Sequence, residues 1–150
     1  MSANYKKLIV IVSLFLGILL CIFGCLNMKP NIEKGLSNPG NPPIRRLRIM
    51  IDVHQREELF AQLREFANKH AFEFHLTFYD RDKTIFLVEL YREDLQILAA
   101  DVPEAPKRIN LRFLDQNPAT PTSEETVDEL FSDLKSFLDE IPNVTITEEQ

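Results

Sequence analysis

Hydrophobic and polar residues alternate along four stretches of the chain, which is the pattern of β-strands that bury one face. In the first stretch, Leu47 and Ile49 alternate with Arg46 and Arg48. The other stretches repeat this period of two. The four predicted strands are residues 45–53, 72–79, 84–91 and 108–115.

A first helix is predicted between the first two strands. Asp52 precedes it and pairs with Gln55 in a pattern like a capping box. Apolar residues then recur at helical spacing until the chain reaches His70, where a basic group suits a helix C-terminus. The apolar positions are Leu59, Phe60, Leu63, Phe66 and Ala67.

A second helix is predicted near the C-terminus. Thr122 and Glu125 have the spacing of a capping box, and Pro142 stops the apolar stripe that follows. Beyond the proline, residues 144–146 could add a short edge strand. Residues 93–100 could be a short helix or an extra strand, and the pattern does not decide between them.

These elements predict an α+β fold: a two-layer sandwich with an antiparallel-rich sheet of about four strands and two main helices on one face. The order strand, helix, strand, strand resembles a ferredoxin-like arrangement. Residues 94–106 then stand where that arrangement has a long crossover helix. We expect one such domain over residues 44–150.

The N-terminus has the three parts of a secretory signal. Residues 1–7 are short, polar and basic, and the 19 residues from Leu8 to Leu26 carry no charge. Nineteen helical residues nearly span a hydrocarbon core of about 30 Å, so a retained transmembrane anchor is the competing interpretation.

The end of this stretch, Ile22-Phe23-Gly24-Cys25, resembles the lipobox of bacterial lipoproteins. In that family an aliphatic residue lies three positions before the cysteine, and a small residue lies directly before it. Ile22 and Gly24 match, whereas Phe23 is larger than the usual side chain. The resemblance implies that residues 1–24 are removed as a signal peptide and that Cys25 carries the acyl chains, palmitate among them, of a lipid anchor.

The family's sorting pattern also implies a location. In Gram-negative lipoproteins an aspartate after the cysteine tends to retain the protein at the inner membrane, and this chain has Leu26 there. The resemblance therefore favours the outer membrane, facing the periplasm. Residues 25–43 are rich in Asn, Pro and Gly, which predicts a flexible tether between the anchor and the domain.

Charge is unevenly distributed along the chain. The net charge is −6, yet residues 123–150 alone hold nine acidic residues and one lysine. A net-acidic chain argues against nucleic-acid binding, which needs a basic surface. The acidic run is interpreted as a solvated helix face, with a docking surface for a basic partner as the alternative.

No catalytic, cofactor-binding or metal-binding constellation is visible. Both cysteines, Cys21 and Cys25, lie in or beside the apolar N-terminal stretch, so the domain has no thiol chemistry and no disulfide. His54, His70 and His75 lack the spacing of a metalloenzyme motif. We therefore expect a protein that is not an enzyme and has no cofactor.

One feature indicates a partner surface. The third predicted strand carries Ile85, Leu87 and Tyr91 on the face away from its main apolar stripe, and Tyr79 precedes it. If helices cover only one side of the sheet, these residues form an exposed apolar patch that a partner could bind. The alternative is that residues 93–106 cover them.

The functional hypothesis from sequence is a lipid-anchored protein of the cell envelope with a small, non-enzymatic binding domain. A second hypothesis is a periplasmic immunity or inhibitor protein against a secreted toxin, because the chain is small and has an acidic helix. The anchor alternative is a single-pass protein that keeps its N-terminal helix. The residues do not name a ligand.

Overall fold

In the described part of the chain, six antiparallel strands form one sheet, against which two helices pack. The computed structural model describes residues 41–102, 104–117 and 119–149. The strands are β1 (Arg45–Met50), β2 (Glu73–Phe78), β3 (Phe86–Tyr91), β4 (Leu95–Val102), β5 (Ala105–Asp115) and β6 (Thr145–Glu149). The helices are α1 (Arg56–Lys69) and α2 (Glu124–Asp139), and a single 3-10 turn (Val53–Gln55) leads into α1.

The predicted α+β class is confirmed, with more strands than expected. The undecided stretch 93–100 belongs to strand β4, and the C-terminal edge strand is present as β6. Strand β5 follows closely on β4, since Val102 pairs with Ala105. β-branched and aliphatic residues in β4 suit a strand that is buried along nearly its whole length.

The sheet order is β2-β3-β4-β5-β1-β6. The β2–β3 hairpin matches the ferredoxin-like expectation, but β1 lies beside β5 and β6 rather than beside β3. Strand β4 replaces the expected crossover helix, and the pair β4–β5 separates β1 from β3. The ferredoxin-like sheet order expected for the first three strands is therefore wrong for this chain.

The β2–β3 hairpin is closed by the side chain of Asp80. Its carboxylate accepts hydrogen bonds from the backbone N–H of Thr84 and of Ile85 and from the Thr84 hydroxyl. Lys83 adopts a positive φ of 55° within this turn. These local bonds fix the register in which Phe78 pairs with Phe86.

One hydrophobic core lies between the sheet and the two helices. Each helix contributes the apolar side chains of one face to this core. Leu63 and Phe66 of α1 and Leu134 of α2 are fully buried in it. Phe66 meets Phe137 of α2 edge-on, with ring centroids 5.8 Å apart. The buried apolar residues of both helices belong to this core, so both described helices cover the same face of the sheet.

The helix starts differ from the expected caps. Ser123, not Thr122, caps α2, and its hydroxyl accepts the Thr126 N–H. Asp52 makes no capping bond and pairs instead with Lys107 of β5 at 2.6 Å. The expected capping boxes are therefore wrong at both positions, because tertiary contacts engage these side chains.

Candidate interaction surface

The sheet has an outer face, which we define as the side opposite both described helices. Strand alternation places Glu73, His75 and Thr77 of β2 and Leu87, Glu89 and Tyr91 of β3 on this face. Toward the centre it holds a small buried apolar cluster. The members of that cluster are Leu87, Leu98, Ala100 and Leu114.

The four residues predicted as a partner surface divide into two groups. Tyr79 and Tyr91 are exposed, at 46% and 42% of their surface. Ile85 and Leu87 are buried, at 3% and 4% exposure. The expected exposure of these two is therefore wrong. Strand 95–102 lies beside β3 in the sheet and does not cover it, and Leu87 packs with apolar side chains of β4 and β5 on the outer face.

Four arginines share the outer face with the tyrosines. We call them the arginine set: Arg46, Arg48, Arg108 and Arg112. The β1–β5 register places Arg46 directly opposite Arg112 and Met50 directly opposite Arg108. Like charges in facing positions repel each other, so this pairing costs stability unless something compensates it. Met50 is also exposed on this face, at 39%.

The arginine set is only partly neutralised within the described part of the chain. Arg48 forms an ion pair with Glu149 of β6. The side chains of Arg46 and Arg108 have no ion-pair or hydrogen-bond partner among the described residues. The Nε atoms of Arg48 and Arg108 are buried donors that lack an acceptor there. A donor of this kind needs an acceptor, and the oxygen of an anionic group is a strong one.

The acids on the outer face are already engaged. Glu89 accepts a hydrogen bond from Gln96 at 3.2 Å, and Glu73 lies 3.6 Å from His75. Glu149 holds Arg48. The part of the face formed by β1 and β5 therefore has an excess of positive charge on an otherwise acidic protein.

The helix layer has the opposite charge. The solvent side of α2 presents an open groove lined by Glu125, Asp128, Glu129, Ser132, Asp133 and Ser136. Lys69 Nζ donates to Asp133 at 2.9 Å, and His70 Nε2 lies 2.5 Å from the same carboxylate. The hydrogen bond from Lys69, followed by that from His70, lowers the pKa of Asp133 below its ordinary value of 3.8.

A second concavity lies where the described chain enters the domain. Its volume is about 270 Å³, and Ile44, Asp115, Thr122 and Val127 are among its lining residues. Its one arginine, Arg45, is already bound to Asp128 at 2.6 Å. Asp115 accepts the Thr122 N–H at 3.0 Å. The polar groups of this concavity are therefore bound to each other and hold β1 and α2 together.

Two buried ionisable residues, which sequence reasoning missed, lie where α1 meets the sheet. Arg56 donates to the carbonyls of Thr84 at 2.6 Å and Pro106 at 2.9 Å. Asp101 of β4 is 3% exposed and accepts the Phe86 N–H at 3.1 Å. Burial raises the pKa of Asp101 above 3.8. These hydrogen bonds all run to main-chain groups, which indicates a structural role.

The described residues hold no group of three His, Cys, Asp or Glu side chains placed to bind a metal ion. The histidines are dispersed: His54 lies in the 3-10 turn, His70 ends α1 and His75 is on the outer face. Residues 1–24, the lipobox-like segment with Cys25, and residues 26–40 of the predicted tether lie outside the described residues.

Comparison with known proteins adds no identification. No protein-family model matches the chain, and a search of curated proteins finds no match either. Among the described residues, no helix has the length and apolar character needed to cross a membrane.

Proposed function

We propose that this protein is a lipid-anchored component of the cell envelope whose single α+β domain has a non-enzymatic binding role. The anchor is Cys25, after a signal peptide of residues 1–24, and residues 25–43 form the tether. The lipobox-like sequence supports the anchor. Leu26 favours the outer membrane, facing the periplasm, in a Gram-negative cell.

The observation that carries the binding role is the composition of the outer face. Three of its side chains, Met50, Tyr79 and Tyr91, are among the four large apolar or aromatic residues that stay exposed in the described part of the chain. The fourth, Val53, lies in the 3-10 turn. Arginine, tyrosine and methionine are among the residues enriched at interaction surfaces. We assign the outer face as the binding surface of the tethered domain.

The experiment compares two accessible positions on opposite layers of the domain. Tyr91→Cys introduces a thiol on the outer face, and Ser132→Cys introduces one on the exposed side of α2. No native cysteine follows Cys25, so each new thiol is the only one in the domain. We expect a membrane-impermeant maleimide to modify position 91 more slowly than position 132 in permeabilised cells, because an occupant covers the outer face.

The purified protein is the control for intrinsic reactivity. Both thiols should react there at rates set by exposure alone, and the protection of position 91 should appear only in the envelope. The ratio of the modification rate at position 91 to that at position 132 is the quantity compared. The same ratio in cells and in the purified protein would contradict a binding role for the outer face. Turnover of an envelope substrate by the purified protein would contradict a non-enzymatic role.

A second candidate function uses the other layer. The acidic groove of α2 is a suitable docking surface for a basic toxin, and it supports the immunity or inhibitor hypothesis. Replacing Asp128 and Glu129 by lysine would abolish protection against the toxin, whereas Arg46→Gln with Arg108→Gln would leave it intact. An adjacent toxin gene would supply the partner for this test. Protection that survives the α2 substitutions would contradict this candidate.

A further inference from the structure

We propose that the outer face docks on anionic phospholipid headgroups of the membrane that holds the tether. This inference rests on the proposed function, because it identifies the occupant of the surface assigned there. Its chemistry is the pairing of arginine guanidinium groups with lipid phosphates. Guanidinium groups bind phosphate oxygens through paired N–H donors, and they are more weakly hydrated than ammonium groups.

The first step of the argument is the state of the arginines. The guanidinium groups of Arg46 and Arg108 have no partner among the described residues, and the Nε donors of Arg48 and Arg108 lack acceptors there. They lie on two neighbouring strands, where the register brings Met50 opposite Arg108 and Arg48 opposite Asn110. Positive charges that the backbone holds close together repel each other and destabilise the fold when no anion is near. An anionic surface offsets this repulsion.

The second step is the set of exposed apolar and aromatic side chains on this face. Met50, Tyr79 and Tyr91 are its exposed apolar and aromatic side chains, and they lie on strands β1 and β3 and just after β2. Tyrosine is enriched at the headgroup level of membranes because its ring is apolar and its hydroxyl is polar.

The third step is the charge asymmetry of the domain. The acidic groove lies on α2, in the layer opposite the arginine set. An anionic membrane attracts the outer face and repels α2, so it orients the domain in the way that the docking requires. An acidic soluble partner offers the same charge, but the tether favours the membrane over it.

The fourth step is effective concentration. The predicted tether, residues 25–43, would hold the domain roughly 20–25 Å from its anchor, the separation given by a flexible chain of this length. Arg46 comes five residues after Asn41, whose side chain binds the Asp115 carbonyl at 2.7 Å and fixes where the described chain enters the domain. The arginine set is thus kept within reach of the bilayer at all times, and weak contacts are enough for docking.

The test uses the full chain reconstituted into vesicles. The sequence has no tryptophan, so Tyr91→Trp introduces a single fluorophore on the outer face, and Ser132→Trp is the matched probe on α2. The vesicles are phosphatidylcholine alone or phosphatidylcholine with phosphatidylglycerol, each containing a headgroup-level quencher. Flotation first verifies that the protein is attached to both kinds of vesicle.

We expect the indole at position 91 to be quenched in the vesicles with phosphatidylglycerol and not in the neutral ones, whereas the indole at position 132 is quenched in neither. Each arginine near an anionic surface changes the docking equilibrium about fivefold, so Arg46→Gln with Arg108→Gln should lower the ratio of docked to undocked domain roughly 25-fold. High salt should have a similar effect. Arg64→Gln with Arg81→Gln removes two cations elsewhere and should change little.

Attached protein whose fluorophore at position 91 stays unquenched in both lipids would overturn the docking inference and leave the anchor untouched. Equal quenching in neutral and anionic vesicles would also overturn it, because headgroup charge would then play no part. Failure of the protein to float with either lipid would instead contradict the anchor, and with it the proposed function. Circular dichroism of each variant excludes misfolding as the cause.

Discussion

Asp101 and Arg56 are the most deeply buried charged residues of the described domain. Burial is the main cause that raises the pKa of Asp101, while the Phe86 N–H and the positive charge of Arg56 lower it. The net shift is upward, so the folded state binds the proton of this carboxyl more readily than the unfolded state does. The resulting stabilisation is complete below the unfolded pKa and is lost as pH rises through the raised folded pKa.

Two substitutions separate the charge of Asp101 from its hydrogen bond. Asp101→Asn keeps an acceptor for the Phe86 N–H and removes the titration, so the free energy of unfolding at neutral pH should stay the same or rise. Asp101→Ala leaves that N–H without a partner and should lower the free energy of unfolding by about 1–3 kcal/mol. Urea unfolding followed by circular dichroism measures both.

The pH dependence is the further readout for this residue. The fall in stability that Asp101 contributes above its ordinary pKa of 3.8 should be absent in Asp101→Asn. If Asp101→Asn is destabilised as much as Asp101→Ala, then the fold depends on the negative charge beside Arg56, and the account of this pair is wrong.

Sequence reasoning could not find these buried charges or the arginine set. Asp101 directly follows residues 93–100, which the pattern left undecided between a helix and a strand. Arg46 and Arg108 each lay on the polar side of a predicted strand, which is normally solvated. Only the pairing of β1 with β5 brings them to neighbouring strands, and that pairing joins segments far apart in the sequence.

At the scale of the elements, hydrophobic periodicity located both helices and the four expected strands. It failed for β4, because a strand buried on both sides has no alternation to detect. Local capping patterns were also insufficient. Thr122 was the expected cap of α2, but its N–H and hydroxyl bind Asp115 and the Asp94 carbonyl. The next residue, Ser123, is therefore the one that caps the helix.

The capping assignment makes a prediction for helix α2. Ser123→Ala removes the acceptor of the Thr126 N–H and should destabilise the protein by about 1 kcal/mol, whereas Ser123→Asp should restore most of the loss. Thermal unfolding measures both variants. Ser132→Ala, at an exposed position in the middle of the same helix, is the control. No loss in Ser123→Ala would show that the cap contributes nothing.

The whole molecule combines an anchor predicted from sequence with a domain of two oppositely charged layers. The acidic layer was evident from composition, since residues 123–150 hold nine acids. The basic character of the outer face was not, because its arginines are balanced by acids within the same stretch of sequence. The acidic and basic side chains are separated into two layers only when the sheet forms. This segregation gives a net-acidic domain an excess of arginine on the part of the outer face formed by β1 and β5.

The central claim is that Cys25 holds this domain on a membrane through lipid. The most direct measurement is metabolic labelling with an alkyne analogue of palmitate, combined with the intact mass of the purified protein. We predict a labelled wild-type chain that begins at Cys25, and an unlabelled, uncleaved precursor for Cys25→Ser. A wild-type chain that keeps residues 1–24 and carries no label would contradict the claim and would indicate a transmembrane anchor instead.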